Sequence, residues 1–368
     1  MMRLFTIAMA LSTATSASAG EPGTANACFA PDALKSSPGE NIIKRRDHSF
    51  DGQADAVTLA PFAPVPAEKR GVIRRVDLPE GEKFIALTFD LCERPGEIAG
   101  YDGAIFDYLR REGVKATLFA GGKWMRSHEV RAKQLVADPL FEIANHSDGH
   151  RNMKFLDAAA MQSEILGPQR TYGATLARIA ARQCLAQPEP DARPERMSLF
   201  RFPYGACNQA AVDAVNDAGL LAIQWDASTG DPDKAASARG IAHSMVAEAQ
   251  PGSILIAHAN GRGWNTAEAL PLAIPKLKAL GYQFVTVSEL LAKGKPVIAS
   301  SCYNARPGDT DRYDFLFAHR GLSKVARIVR TADASKRKQT ATRRWRAAAK
   351  VRVARTPGGV RKLQYKKS

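Results

Sequence analysis

No stretch of this 368-residue sequence is long and apolar enough to cross a bilayer, which takes about 20 apolar residues in a row. That excludes a membrane-embedded mature chain and leaves a soluble one. Net charge is missing from the body as well. Residues 319–368 hold 17 Lys or Arg against one acid, Asp333, or +16; the whole chain is +15, so residues 1–318 sum to about −1. The high isoelectric point therefore belongs to the tail, which has few apolar anchors and cannot bury a core. Cysteine is scarce and odd in number: Cys28, Cys92, Cys184, Cys207 and Cys302. An odd count leaves at least one thiol outside any intramolecular bridge. A glycine-rich phosphate turn is also lacking, since "FAGGKW" does not have the spacing, and this argues against a dinucleotide crevice.

What is present begins with an export signal. "MMRLFTIAMALSTATSASAG" carries Arg3, a short apolar run and a small-residue exit, so residues 1–19 read as a signal peptide cleaved after Ala19. The mature protein is expected in the periplasm or outside the cell, where disulfides are permissible. Cys28 with Cys302, and Cys184 with Cys207, are the expected bridges, and Cys92 the free thiol. An exported polycationic tail would meet anionic envelope polymer or lipid. Nucleic acid is not an expected partner in that compartment.

The middle of the chain alternates strands and helices. "KFIALTFD", "KATLFA", "FEIANH", "LFRFPY", "LAIQWDAS", "SILIAHA" and "QFVTVS" read as seven strands separated by helical periods. The pattern predicts an α/β fold with a parallel sheet inside and helices outside. Reactive side chains sit at several strand ends: Asp90, His146 and His150, Arg201, Asp226 and Asp231, and His258. Working groups spread over the C-terminal ends of many strands favour a barrel over an open doubly wound sheet. The expected organisation is an irregular Pro-rich arm at 20–79, the barrel at 80–298, a coda at 299–318 and the basic, disordered tail at 319–368.

The pair in "NHSDGH" is the most informative feature. Imidazoles four residues apart can converge on one metal ion from a single turn of backbone. With "LTFD", "RFPYG", "WDASTGD" and "ILIAH" in the same order, residues 80–295 resemble the polysaccharide deacetylases, a carbohydrate esterase group. The resemblance implies a distorted (β/α) barrel of about seven strands. It implies a hydrolase that removes acetyl groups from N-acetylated glycan (chitin oligomers, peptidoglycan or exopolysaccharide) with a divalent metal ion, zinc being expected. Carried over by motif, His146 and His150 are metal ligands and Asp90 is the general base. His258 is the acid, Arg201 orients Asp90, Asp231 supports the Arg or the His, and the Tyr204 backbone N–H helps hold the oxyanion.

One departure matters. Family members commonly carry a second acid directly after the base, as third ligand; here that position is Leu91. Cys92 and Glu93 follow it. Glu93 is the expected replacement, because a carboxylate keeps the ligand type and a free thiol in an oxidising compartment is exposed to oxidation, with a Cys92 thiolate or a water as the alternatives. With no third ligand the chain would instead be a deacetylase-like glycan binder with an incomplete metal site.

Overall fold

The computed structural model describes residues 28–182 and 194–314. The segment read as a signal peptide, Cys184 and the basic tail fall outside the described residues. Twelve strands are present among them: β1 (Lys44–Arg45), β2 (Val72–Asp77), β3 (Phe84–Leu91), β4 (Glu97–Ile98), β5 (Ala116–Ala120), β6 (Phe141–Asn145), β7 (Leu199–Phe200), β8 (Leu221–Ile223), β9 (Ala227–Ser228), β10 (Ile254–His258), β11 (Gln283–Val285) and β12 (Lys295–Ala299).

Ten of these form one sheet in the order β12-β2-β8-β7-β6-β5-β3-β10-β9, with β11 added to β3. All pairs in it are parallel except β12 with β2. A bridge between Arg75 and Ser253 ties β2 to the start of β10, so the sheet curls back on itself. This is the (β/α) barrel expected, in distorted form.

The apolar run "FIALTFDL" explains why β3 is the hub. Seven of its eight residues are buried, as a strand covered on both faces requires. One face joins Ile85, Leu87 and Leu91 to the helices Gly103–Glu112 and Thr266–Ala279. The barrel interior collects Ile73, Ala86, Phe119, Ala144, Ile223, Trp225 and Ile256. Each of the isoleucines and the phenylalanine gains about 1.5–3 kcal/mol on burial. Helix Gly103–Glu112 ends on Gly113 at φ 60°, the left-handed stop that its position in the sequence suggested.

Three expectations need correcting. The 20–79 arm is not irregular throughout: "VIRRVD" forms β2, a sheet member between β12 and β8. "LAIQWDAS" is two strands rather than one. Gln224 N–H still donates to Ile73 of β2, but Asp226 N–H donates to Ile254 of β10, so the chain changes partner within three residues. The described disulfide joins Cys207 to Cys302, not either pair expected. The coda runs beside the segment after β7, bringing the two Cα atoms to 5.4 Å. Cys28 is also disulfide-bonded, and Cys92 is the free, buried thiol, as anticipated.

Candidate active site

Parallel register brings the strand ends together. His258 is the direct partner of Asp90 across β10 and β3. Asn145 pairs with Phe200, and Arg201 N–H donates to the Asn145 carbonyl at 2.8 Å. Asp90, His146, Arg201 and His258 therefore arrive on one rim from four different strands.

Arg201 is completely buried. Its Nη1 donates to Asp90 Oδ1 and to Thr88 Oγ1, both at 2.8 Å. The guanidinium lies 3.8 Å over the Phe119 ring. Burial alone would raise the Asp90 carboxyl, but its interactions with His146, Arg201 and His258 outweigh it and hold the group below its ordinary value. Asp90 is thus fixed in rotamer and kept ionised. Thr88, on the same face of β3 two residues earlier, was not singled out from sequence; the two-residue period of a strand is the signal that points to it.

His258 has a different environment. Asp231 accepts from His258 Nδ1 at 2.9 Å and from its backbone N–H at 2.6 Å. Thr266 Oγ1 donates to the same carboxylate at 2.7 Å, locking it. Burial pulls the imidazole pKa down, but the charge and hydrogen bond of Asp231 and the charge of Asp90 leave it raised. The His258 side chain keeps 17% of its surface exposed, against 0% for Arg201, so the site opens on its side. Asp226 takes no part here. Its carboxylate binds Ser253 Oγ and the Ile254 N–H, at the opposite end of β10.

The histidine loop is held by its own polar residues. Asn145 Oδ1 accepts from Ser147 N–H at 2.9 Å while its Nδ2 donates to the Ile165 carbonyl at 2.8 Å. Ser147 Oγ accepts from His150 N–H at 3.0 Å. Ser147 and His150 adopt φ of 65° and 51°, as does Tyr204 at 62°. Such left-handed positions cost about 1–3 kcal/mol each in non-glycine residues and cluster at working sites. The Tyr204 ring lies 4.5 Å from that of His150.

His146 Nδ1 is 2.9 Å from the Arg201 carbonyl, which can only accept, so Nδ1 carries the hydrogen and Nε2 keeps its lone pair. That Nε2 lies 3.3 Å from Asp90 Oδ2. His146 Nε2 and His150 Nδ1 are both buried without a hydrogen-bond partner. Burial pulls both imidazoles below their ordinary pKa, well below for His150, which keeps them neutral as metal ligands must be. Together with Cys92, their ligand atoms lie within 4.8 Å of one another, a group able to hold a metal ion.

Glu93 is not in that group, against expectation. Its carboxylate accepts from Ala99 N–H at 2.9 Å and Ser127 Oγ at 2.8 Å, and lies 3.6 Å from the buried Lys123 ammonium. Side chains along extended backbone alternate faces. Asp90 and Cys92 share the site face, whereas Leu91 packs in the core and Glu93 faces the Lys123 side. Asn260 is the other residue that sequence reasoning missed. Completely buried just after β10, it donates from Nδ2 to the Cys92 carbonyl at 2.7 Å and to Cys92 Sγ at 3.1 Å.

Among the aromatics near the strand ends, Trp124 and Trp225 are buried, with indole N–H groups on Gly100 O and Asn304 Oδ1. Trp264 is 42% exposed on the loop after β10.

Comparison with known proteins agrees with the geometry. Residues 77–188 match the family model for polysaccharide deacetylase. Over those residues the chain is similar to the polysaccharide deacetylases. The domain is 29% identical over 217 residues to a peptidoglycan-N-acetylglucosamine deacetylase of Bacillus cereus, a match covering 58% of this chain and 91% of that protein. It is also 29% identical over 242 residues to the peptidoglycan-N-acetylglucosamine deacetylase PgdA of Listeria monocytogenes, covering 64% of this chain but 45% of that protein. In fold it is similar to the crystal structure of a peptidoglycan N-acetylglucosamine deacetylase bound to a hydroxybenzamide-type ligand, with TM-score 0.50 and 24% identity over 62% of this chain and 96% of that one.

Proposed function

We propose that this protein is an exported, metal-dependent hydrolase that removes acetyl groups from N-acetylhexosamine units of an extracytoplasmic glycan, with peptidoglycan as the first substrate to test. The observation that carries this reading is the meeting of two ordered pairs, Arg201–Asp90 and Asp231–His258, beside two histidines that each hold one buried ring nitrogen without a hydrogen-bond partner. An acetamide is a poor electrophile and an amine a poor leaving group, so the reaction needs a base, an acid and an electrophile in one place.

His146 and His150 fit a divalent ion, and zinc suits their imidazoles. Bound there, it would supply Lewis acidity toward the acetamide carbonyl and toward a water. The remaining work belongs to the chain. Asp90, ionised and clamped by Arg201, accepts the proton of the attacking water. His258 holds a proton at the nitrogen opposite its Asp231 bond and delivers it to the departing amine. Asp231 fixes that tautomer and stabilises the imidazolium. The Tyr204 N–H is assigned to the carbonyl oxygen as its charge grows. The Trp264 face offers a flat apolar surface beside the rim for a sugar ring.

Acetate release from chitin oligomers, peptidoglycan and exopolysaccharide, with and without added zinc, tests the proposal. Release from at least one, raised by zinc, is expected. Binding to glycan without release from any would make the chain a glycan-binding relative instead.

A further inference from the structure

We propose that Cys92 supplies a thiolate as third ligand, making the centre a two-nitrogen, one-sulfur site, and that Asn260 is the residue that positions it. The inference rests on the reading above that His146 and His150 hold a metal ion.

Three independent features converge. First, the Cys92 sulfur lies within 4.8 Å of the ligand nitrogens of both histidines. Second, His146 Nε2 and His150 Nδ1 are buried without a hydrogen-bond partner, a state that favours something binding there. Third, the sulfur is built into the site. Cys92 is 3% exposed, and among the described residues it is the free cysteine. The Asn260 amide grips it from behind, donating to both its carbonyl and its sulfur. Turning that amide over would set its oxygen against the Cys92 carbonyl, so the donor orientation is fixed by the backbone contact. Asn260 is itself anchored: its carbonyl accepts from Gly100 N–H at 2.9 Å, and the preceding Ala259 carbonyl accepts from Asp102 N–H at 2.9 Å.

Burial pushes the Cys92 thiol up to about 12, so the thiolate belongs to the metal-bound state, and the Asn260 N–H sets the direction of the sulfur's lone pairs, the usual task of groups behind metal ligands. No carboxylate competes for the position. Leu91 cannot ligate, and Glu93 is held by Ala99 and Ser127. Asp90 gives Oδ1 to Arg201, and although its Oδ2 lies 3.3 Å from His146 Nε2, it is not part of the group formed by Cys92, His146 and His150. A thiolate in place of a carboxylate softens the donor set. It selects zinc or cobalt over magnesium or calcium, which prefer oxygen.

The full-length protein loaded with cobalt(II) gives the test, since thiolate ligation adds a near-ultraviolet charge-transfer band that imidazole and carboxylate do not. The wild-type protein is expected to show the band, Cys92→Ser to lose it, and Glu93→Gln to keep it. Asn260→Ala should keep the band while lowering zinc affinity about 10–100-fold. Absence of the band from cobalt-loaded wild type overturns the proposal without recourse to any variant, and so does its survival in Cys92→Ser. The reading is made without substrate, so it separates from the functional proposal. Acetate release without the band contradicts only the thiolate, and the band without acetate release contradicts only the deacetylase. Failure to bind cobalt at all contradicts the thiolate and the metal site together.

Discussion

His258 and Asp90 are neighbours in register yet are set to opposite tasks by what stands behind them. Asp231 behind the imidazole raises its pKa, so His258 keeps its proton to higher pH than an ordinary histidine. If that proton is the one given to the leaving amine, activity falls as pH rises through the His258 value. Removing the Asp231 charge lowers that value, so Asp231→Asn should move the alkaline limb of the kcat profile to lower pH. An unmoved limb would show that another group sets it. Arg201 behind Asp90 has the reverse effect and keeps the carboxylate charged. Asp90→Asn should cost about two to four orders of magnitude in acetate release, the usual worth of a general base. Zinc content measured on the same sample should stay near wild type. The two histidines, Asp90, Arg201, Asp231 and His258 were legible in the sequence because each sits in a short motif at a strand end. Cys92 was passed over for Glu93 on ligand chemistry, although the alternation of faces beyond β3 places Cys92, not Glu93, beside Asp90. Asn260 carried no such signal, because its partner is 168 residues away.

Among the elements, β6 and the loop after it do the most to shape the site. Asn145 ends the strand and spends both ends of its amide holding the turn, one on Ser147 and one on Ile165 of the helix Ala158–Ala180. Asn145→Ala removes both bonds from a fully buried position and should cost about 1–3 kcal/mol in urea unfolding. It should also weaken zinc binding, because His146 and His150 hang from that turn. Wild-type stability and zinc affinity in this variant would mean that the loop holds its shape without the asparagine. The helices and the long strands were legible from periodicity, since an apolar face or a buried run leaves a strong pattern. The split of β8 from β9 was not. "LAIQWDAS" has the composition of one strand, and only the crossing from Ile73 to Ile254 as hydrogen-bond partners divides it. β2 was missed because the Pro-rich residues before it gave the whole segment an irregular look, while "VIRRVD" alternates too little to stand out.

At the scale of the molecule, the curled sheet is tied near its β12 edge by Cys207–Cys302, at a sequence separation of 95. A bridge across a loop of that order stabilises by about 2–5 kcal/mol, chiefly through the unfolded chain. The double variant Cys207→Ser, Cys302→Ser should lose that amount in denaturant unfolding yet bind zinc as before, since neither sulfur belongs to the metal group. Loss of zinc in the double variant would show that the bridge shapes the site. The account of function as a whole is tested most directly by acetate release from peptidoglycan with the metal removed and restored. The purified protein should release acetate, stop after chelation, and recover when one equivalent of zinc is returned, while Asp90→Asn stays silent throughout. Release that continues after chelation, or none from any N-acetylated glycan by protein carrying its full equivalent of zinc, would contradict it.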